Sequence, residues 1–241
     1  TTCRVRRGPR SNLDMPTCAV WVVLGGAAVV VAARSFSSAI YDAVITRMTA
    51  KWYKEVLHEA APGQRILDVG IGTATALARN APLVEAKDIH IVGLDYEAEY
   101  IRAAKVLVGE TPQLRSRVEL VCGSVYDAEQ LVVGKFDAVY FSGSLTLMPD
   151  PAAALRCVAK LVRPGGRIYV TQTYQRQHVP FLATVKPLLK YISTIDFGQV
   201  TSTDDIAKIF ADSKLKVAHH AVIPGSIDTP LQAAYLSILN V

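Results

Sequence analysis

The sequence predicts an α/β protein with a doubly wound, mostly parallel sheet and helices on both faces. After the Pro62-Gly63 break, short β-branched or apolar runs alternate with segments of helical pattern along most of the chain. This alternation is typical of a parallel sheet covered by helices. The last two predicted strands have only a Pro-Gly-containing loop between them, so we expect those two to pair antiparallel.

The individual elements follow from local patterns. Seven strands are predicted: Arg65–Val69, Ile89–Leu94, Val118–Cys122, Phe136–Phe141, Arg167–Gln172, Lys216–Ile223 and Ala233–Val241. Helices are predicted at Thr73–Asn80, after Asp95 through Tyr100 and Val106, at Pro151–Leu161 and from Thr203 through Phe210. The sequence Arg163-Pro164-Gly165-Gly166 predicts a turn after the third helix.

Residues 35–62 are predicted to form one or two amphipathic helices before the sheet. Apolar residues recur every fourth position between Ala39 and Glu59, at Ile40, Val44, Met48, Trp52 and Val56. Tyr41 and Ile45 widen this apolar stripe, which predicts a helix face buried against the domain of residues 63–241.

An uncharged segment precedes these helices, from Met15 to Ala33. As a helix it is about 28 Å long, at the lower edge of a bilayer span. It is apolar on all sides, which favours a single-pass transmembrane anchor at residues 15–34 over a buried core helix. A signal or transit segment is the other alternative, because the arginine-rich residues 1–14 come before it.

The positive charge is concentrated at the N-terminus. The formal net charge is +5, and residues 1–34 carry five arginines against one aspartate. The remaining chain is therefore nearly neutral, and a nucleic-acid groove is not indicated. The arginines fit lipid headgroups or an organelle-targeting presequence, so we expect a membrane location, mitochondrial or plastid.

The cysteines predict neither a disulfide framework nor a metal site. Cys3, Cys18, Cys122 and Cys157 have no metal-like spacing. A reducing compartment and no bound metal are expected.

The first predicted strand leads into the turn RILDVGIGTATAL, residues 65–77. Gly70 and Gly72 let the backbone turn tightly and approach a ligand closely. A dinucleotide fingerprint would need Gly or Ala at Thr75, so that ligand is disfavoured. Asp68, two residues before the first glycine, suits a ligand with a cationic amine and favours a nucleoside that bears an amino acid.

The second predicted strand ends in Asp95, 25 residues after Gly70. A carboxylate at this place can accept hydrogen bonds from both hydroxyls of a ribose. The alternative is that Asp95 is the N-cap of the following helix. The distance from the first motif favours the ribose role.

These motifs resemble those of class I S-adenosylmethionine-dependent methyltransferases, from about Ala39 to Val241. The segments that carry the resemblance are RILDVGIGTATAL, IVGLDY, VELVCGSVYD, FDAVYFSGSLTLMPDP and LVRPGGRIYVTQ. The resemblance implies a Rossmann-like sheet of seven strands in the order 3-2-1-4-5-7-6, with the seventh antiparallel. It also implies S-adenosylmethionine as the cofactor.

The resemblance assigns cofactor roles to nine residues. The methionine part is expected near Asp68, Gly70, Gly72, Thr73 and Ser142, the ribose at Asp95, and the adenine at Tyr96, Ser124 and Val125. Leu145 is expected to begin the wall that faces the methyl acceptor. Two positions depart from the family pattern, because Ser124 replaces an aspartate and Ala74 replaces the third glycine.

Residues that could act as a general base are sparse. His178 and Tyr174, which follow the fifth predicted strand, are the candidates, with Tyr41 on the first helix as a further one. His219 and His220 lie in a strand and are weaker candidates. The residues after the fourth strand lack an Asn-Pro-Pro-Tyr-type element, so amide and nucleobase amino acceptors are not indicated.

Two hypotheses on function follow. The apolar segment Pro180–Phe197 and the anchor predict an enzyme that methylates a small, lipophilic acceptor such as a quinone, sterol, lipid, thiol or phenol. The alternative is a methyltransferase-like structural or assembly subunit of an organellar membrane complex, without turnover. A nicotinamide-dependent oxidoreductase is disfavoured by Thr75 and by the terminal antiparallel pair.

Overall fold

A computed structural model of the protein describes residues 45–176 and 201–241. Residues 45–59 are helical (α1). The strands are β1 (Arg65–Val69), β2 (His90–Asp95), β3 (Val118–Cys122), β4 (Phe136–Ser142), β5 (Val162–Gln175), β6 (Lys216–Val222) and β7 (Gln232–Asn240). The other helices are α2 (Thr75–Ala78), α3 (Ala81–Ala86), α4 (Ala98–Glu110), α5 (Ala128–Leu131), α6 (Pro151–Ala159) and α7 (Thr203–Ser213).

The strands form one seven-stranded sheet in the order β3-β2-β1-β4-β5-β7-β6. Strands β1 to β5 pair in parallel, whereas β7 is antiparallel to both β5 and β6. The predicted topology, including the antiparallel last strand, is confirmed. The parallel arrangement brings the carboxyl ends of β1, β2, β3 and β4 to one edge of the sheet.

The two faces of the sheet bury separate hydrophobic clusters. Helix α1 places Trp52, Tyr53 and Val56 on one face, in a cluster that also includes Tyr140 of β4. Helices α6 and α7 cover the other face, where Phe210 packs in a second cluster. The fourfold apolar spacing of α1 explains its position, since Trp52 and Val56 are both at most 2% exposed.

Three local predictions are wrong in detail. The helix predicted at Thr73–Asn80 is limited to α2, because Asn80 leaves the helical conformation and a separate helix, α3, begins with Pro82 in its first turn. The turn predicted at 163–166 lies within β5, where a bulge opposite β4 accommodates the extra residues. Helices α3 and α5 were not predicted, since each has at most six residues.

The predicted anchor, residues 15–34, and residues 35–44 lie outside the described residues. Among residues 45–176 and 201–241, no helix has the length and hydropathy needed to cross a membrane.

Helix α7 ends in a strained residue, which gives the first testable prediction. Lys214 is the C-cap and has φ 63° and ψ 16°, the left-handed region that favours glycine. We expect Lys214→Gly to raise the free energy of unfolding by about 1 kcal/mol, because the steric cost of Cβ in this region disappears. Urea unfolding of the full chain measures the change.

Lys216→Gly is the matched control, because Lys216 is an exposed residue in the extended backbone at the start of β6. Glycine there is expected to lower the free energy of unfolding by about 0.5 kcal/mol. Equal effects at positions 214 and 216 would contradict the strain argument.

Candidate active site

The first turn of the site follows β1, where Asp68 is 1% exposed and pairs in register with Tyr140 of β4. Gly70 comes next with φ 78°, and its amide donates to the carbonyl of Leu94 at the end of β2. A Cβ on Gly70 would overlap Cβ of Ser144, and the Ser144 hydroxyl donates to the carbonyl of Val69. Only glycine fits where the turns after β1 and β4 meet.

The buried Asp68 carboxyl is held by a residue of α1. The Tyr53 hydroxyl donates to Asp68 Oδ2 over 2.5 Å, whereas Asp68 Oδ1 is buried without a partner among the described residues. Burial raises the pKa of Asp68 to about 7, the Tyr53 hydrogen bond opposes this shift, and the charge of Asp95 adds to it. A nearby cation would therefore favour the ionised form of Asp68 at neutral pH.

The second acid of the site, Asp95, joins the first turn to the end of β2. Its Oδ2 accepts the amide hydrogen of Gly72 at 2.8 Å, and its Oδ1 accepts that of Glu97 at 3.0 Å. The N-cap of α4 is Glu97, so the alternative role of Asp95 as N-cap is wrong. Each carboxylate oxygen keeps a second lone pair, which leaves Asp95 able to accept two ligand hydroxyls.

The first turn also leaves open space. Gly72 has φ 58°, and a Cβ on it would meet no atom within 4 Å. Thr73 is exposed, with its hydroxyl 2.7 Å from that of Thr75. The next residue, Ala74, adopts φ 58° although it is not glycine. The departure at Ala74 therefore retains the backbone conformation that a third glycine would give, at a cost of about 1 kcal/mol.

The residues predicted to meet the adenine lie beside the ends of β2 and β3. The Tyr96 ring is 79% exposed, and Val125 is buried. Ser124 caps a 3-10 turn, and its Oγ accepts the amide hydrogen of Tyr126 over 3.2 Å. Tyr126 in turn exchanges hydrogen bonds with the backbone of Asp150 before α6. Where the family pattern has an aspartate, this chain thus has a serine whose hydroxyl caps the 3-10 turn.

These features fit S-adenosylmethionine. Asp68 offers an unpaired buried oxygen for an ammonium group, Asp95 has spare lone pairs for ribose hydroxyls, and Tyr96 presents an exposed aromatic ring. The open space at Gly72 removes the steric barrier to a ligand at the turn.

Aromatic and polar side chains meet at the carboxyl end of β4. A Cβ on Gly143 would lie 3.4 Å from Cζ3 of Trp52 and 4.0 Å from Oε1 of Gln172. Ser142 ends β4, and the atoms Gln172 Oε1 and Thr173 Oγ1 are buried without hydrogen-bond partners among the described residues. At this edge the nearly fully buried indole of Trp52 lies beside buried oxygens that can accept hydrogen bonds.

Of the residues proposed as general bases, Tyr174 lies within the described part of the chain, and it is not brought to this edge. Tyr174 is fully buried in the cluster under α6 and α7, with its ring 5.8 Å from that of Tyr235 and 6.2 Å from that of His220. Burial raises the pKa of Tyr174, so its hydroxyl keeps the proton at neutral pH. His178 and Tyr41 lie outside the described residues, and their roles stay predictions. The His220 ring stacks on Tyr235 at 4.7 Å and bonds the Ser237 hydroxyl.

Sequence reasoning missed Tyr53 and Gln172 as residues of the site. Tyr53 continues the row of Tyr41 and Ile45 at fourfold spacing, so the widened stripe of α1 could have shown that it is buried. Its contact with Asp68 depends on how α1 packs on the sheet, which the stripe does not specify.

Comparison with known proteins agrees with the fold. A family model described as a methyltransferase domain matches residues 60–220. A phosphatidylethanolamine N-methyltransferase of Cereibacter sphaeroides is 27% identical, over 80% of this chain and 92% of its own length. A ubiquinone biosynthesis O-methyltransferase of Aromatoleum aromaticum is 26% identical, over 72% of this chain and 71% of its own length.

A solved structure shares the architecture. The arsenic(III) S-adenosylmethionine methyltransferase of Chlamydomonas reinhardtii aligns with a TM-score of 0.56 at 17% identity, over 75% of this chain and 64% of that one. At this identity the likeness concerns the fold alone. Together with the family match, the sheet order and the first two motifs, it shows that the chain is an enzyme of the class I S-adenosylmethionine-dependent methyltransferase family.

Proposed function

We propose that the protein is a membrane-anchored methyltransferase that methylates a small, lipophilic acceptor by direct in-line transfer. The observation that carries this proposal is the edge at β4, where Trp52 lies beside Gly143 and the unpaired oxygen of Gln172. An aromatic wall with few polar groups suits a small, largely apolar molecule with one O–H or N–H group. The names of the two relatives, which concern a phospholipid and ubiquinone biosynthesis, support the same acceptor class.

In this proposal the cofactor side consists of the residues assigned from the motifs. Asp68 binds the amino group, Asp95 binds the ribose, and Tyr96 packs on the adenine, with Ser124 and Val125 at its edge. Gly70, Gly72 and Thr73 shape the turn, and Ser142 borders the methionine part. Bound S-adenosylmethionine supplies an electrophilic sulfonium methyl group, so the chain's main tasks are to orient the acceptor and to exclude water.

A general base is needed only for an acceptor whose nucleophilic atom carries a proton that it does not release by itself. Tyr174 is a poor candidate, because it is buried on the α6 and α7 face and its pKa is raised. We retain His178 as the proposed base. An amine in its neutral form or a thiolate would require none.

The membrane part of the proposal rests on the uncharged segment at 15–33 and the arginines before it. We propose a single-pass anchor in an organellar membrane, mitochondrial or plastid. Carbonate extraction of membranes that contain the full chain tests this: retention in the pellet is expected, and release into the supernatant would rule out a span.

Activity is tested with the full chain in detergent or lipid nanodiscs. Calorimetry with S-adenosylmethionine should show one site, and labelled methyl groups should reach molecules in the organic phase of a lipid extract that contains quinone precursors and phospholipids. Absence of cofactor binding would contradict the proposal. Binding without transfer to any acceptor would favour the assembly-subunit alternative instead.

Tyr96 allows a test of the adenine contact that leaves the core intact. We expect Tyr96→Ala to weaken S-adenosylmethionine binding about tenfold, since stacking of a base on an aromatic ring is worth about 1–3 kcal/mol. The free energy of unfolding should change by less than about 0.5 kcal/mol, because the ring is 79% exposed.

Tyr100→Ala serves as the control for Tyr96, because Tyr100 is a 51% exposed tyrosine on α4, one turn further along the chain. Its replacement should leave cofactor affinity unchanged in the same titration. Equal losses from both variants would remove Tyr96 from the adenine site.

A further inference from the structure

The two carboxyl oxygens of Asp68 differ in their surroundings. Oδ2 accepts the Tyr53 hydroxyl at 2.5 Å, whereas Oδ1 is buried and unpaired among the described residues. The hydroxyl of Tyr53 thus fixes which oxygen remains for a ligand. Tyr53 belongs to α1, outside the five motifs that carry the family resemblance.

Tyr53 is itself held on several sides. Its ring meets that of Tyr140 edge-on, with centroids 4.9 Å apart and an interplanar angle of 88°, and the Tyr140 hydroxyl lies 2.8 Å from that of Thr171. The two residues before it tie α1 to the loop between β6 and β7: Lys51 bonds the carbonyl of Gly225, and Trp52 Nε1 donates to Ser226 Oγ at 3.0 Å. Tyr53 is therefore a fixed donor.

The groups that face Asp68 come from three elements. They are Tyr53 from α1, Tyr140 from β4 and Asp95 from β2. The charge that acts on Asp68 is the negative charge of Asp95, and the Tyr53 hydrogen bond is the contact that favours the ionised form. The Tyr53 hydroxyl keeps its own proton, because burial and Asp68 raise the pKa of Tyr53 well above 10.0.

We propose that Tyr53 is a cofactor-positioning residue, whose hydroxyl holds Asp68 with Oδ1 free for the cofactor's ammonium group and stabilises the carboxylate that this contact requires. The inference rests on the proposed role of Asp68 in binding the amino group. Because Asp68 is partly protonated near neutral pH, its O–H bond breaks when an ammonium group binds. The proton then passes to the buffer.

Calorimetric titration of the full chain tests this proposal, with S-adenosylmethionine and S-adenosylhomocysteine between pH 6 and 9. In the wild type, affinity should rise with pH up to about 7 and level off until the ligand's own ammonium group loses its proton, with release of about half a proton at pH 7 in buffers of different ionisation enthalpy. Both ligands should behave alike, because both carry the ammonium group.

The Tyr53→Phe variant should bind about tenfold more weakly at pH 7 and within about threefold of the wild type at pH 9. Loss of the hydroxyl raises the pKa of Asp68 further, so the pH profile moves upward. Tyr140→Phe is the matched control: it removes a hydroxyl from the same cluster but leaves the Tyr53 contact with Asp68, so its profile should match that of the wild type.

Circular dichroism confirms folding, and Tyr53→Met repeats the test without a hydroxyl if the phenylalanine variant unfolds. An unchanged profile, or an equal loss at every pH, would overturn the inference and leave Tyr53 with a packing role. Failure of the wild type to bind either ligand would instead refute the proposed function.

Discussion

The Asp68→Asn variant is expected to unfold at a higher temperature than the wild type above pH 7, while its affinity for S-adenosylmethionine falls at least about 100-fold. The loss of affinity follows from removing a buried charged partner, which typically costs 2–5 kcal/mol. The gain in stability follows from removing a carboxyl whose ionisation burial opposes.

The sign of the stability change follows from the pKa of Asp68, which rises from 3.8 to about 7 on folding. The contribution of Asp68 to the free energy of unfolding of the wild type is fully present below about pH 4. It is lost as the pH rises to about 7, and above that pH this contribution no longer changes. The loss amounts to at most about 4 kcal/mol. Asparagine does not titrate, so the variant lacks this loss. Its unpaired amide offsets part of the gain, and about 2 kcal/mol should remain.

Urea unfolding of both proteins at pH 4, 6 and 8 measures this difference, which should grow between pH 4 and 7. Asp212→Asn, at an exposed aspartate of α7, is the control and should show no such growth. A difference between wild type and Asp68→Asn that is the same at all three pH values would contradict the raised pKa.

The Gly70→Ala variant is expected to lower the free energy of unfolding by about 3 kcal/mol or more. Two costs add: the left-handed conformation costs a residue with Cβ about 1–2 kcal/mol, and the overlap with Ser144 forces the turns after β1 and β4 apart. Displacement of the first turn should also misplace the Gly72 amide, and cofactor binding should weaken with it.

Gly63→Ala is a matched control, because Gly63 has φ 75° but nothing within 4 Å of its Cβ position. It should cost only the conformational part, about 1 kcal/mol. Combining Gly70→Ala with Ser144→Gly should recover about 1–2 kcal/mol as a coupling energy in urea unfolding. Strict additivity of the two changes would show that contact between residues 70 and 144 does not cause the loss of stability.

That Asp68, Gly70, Gly72 and Asp95 lie together could be predicted from the sequence, because the signals are local. Asp68, Gly70 and Gly72 lie in one turn, and the first alternation of strand and helix already places Asp95 beside it. The sheet order came from the family resemblance, since alternation alone leaves the order of parallel strands open.

The contributions of α1 and β5 could not be predicted in the same way, because their side chains reach the site only through tertiary packing. Tyr53 and Gln172 come from α1 and β5, and no fixed spacing connects them with Asp68 or Gly143. Tyr174 looked available as a polar residue after a predicted strand, but β5 continues to Gln175 and pairs with β7 there, which buries the ring. A strand end that is placed three residues too early thus turns a core residue into an apparent base.

The chain between the proposed membrane anchor and α1 limits the distance between the active site and the bilayer. Residues 35–44 separate residue 34 from the first described residue, and ten extended residues span at most about 35 Å. An anchored domain would therefore stay within about this distance of the bilayer, and the helix that carries Trp52 and Tyr53 is the first element described after the proposed anchor. An acceptor dissolved in that bilayer would be found by a two-dimensional search at high local concentration, so weak intrinsic affinity for the acceptor would suffice.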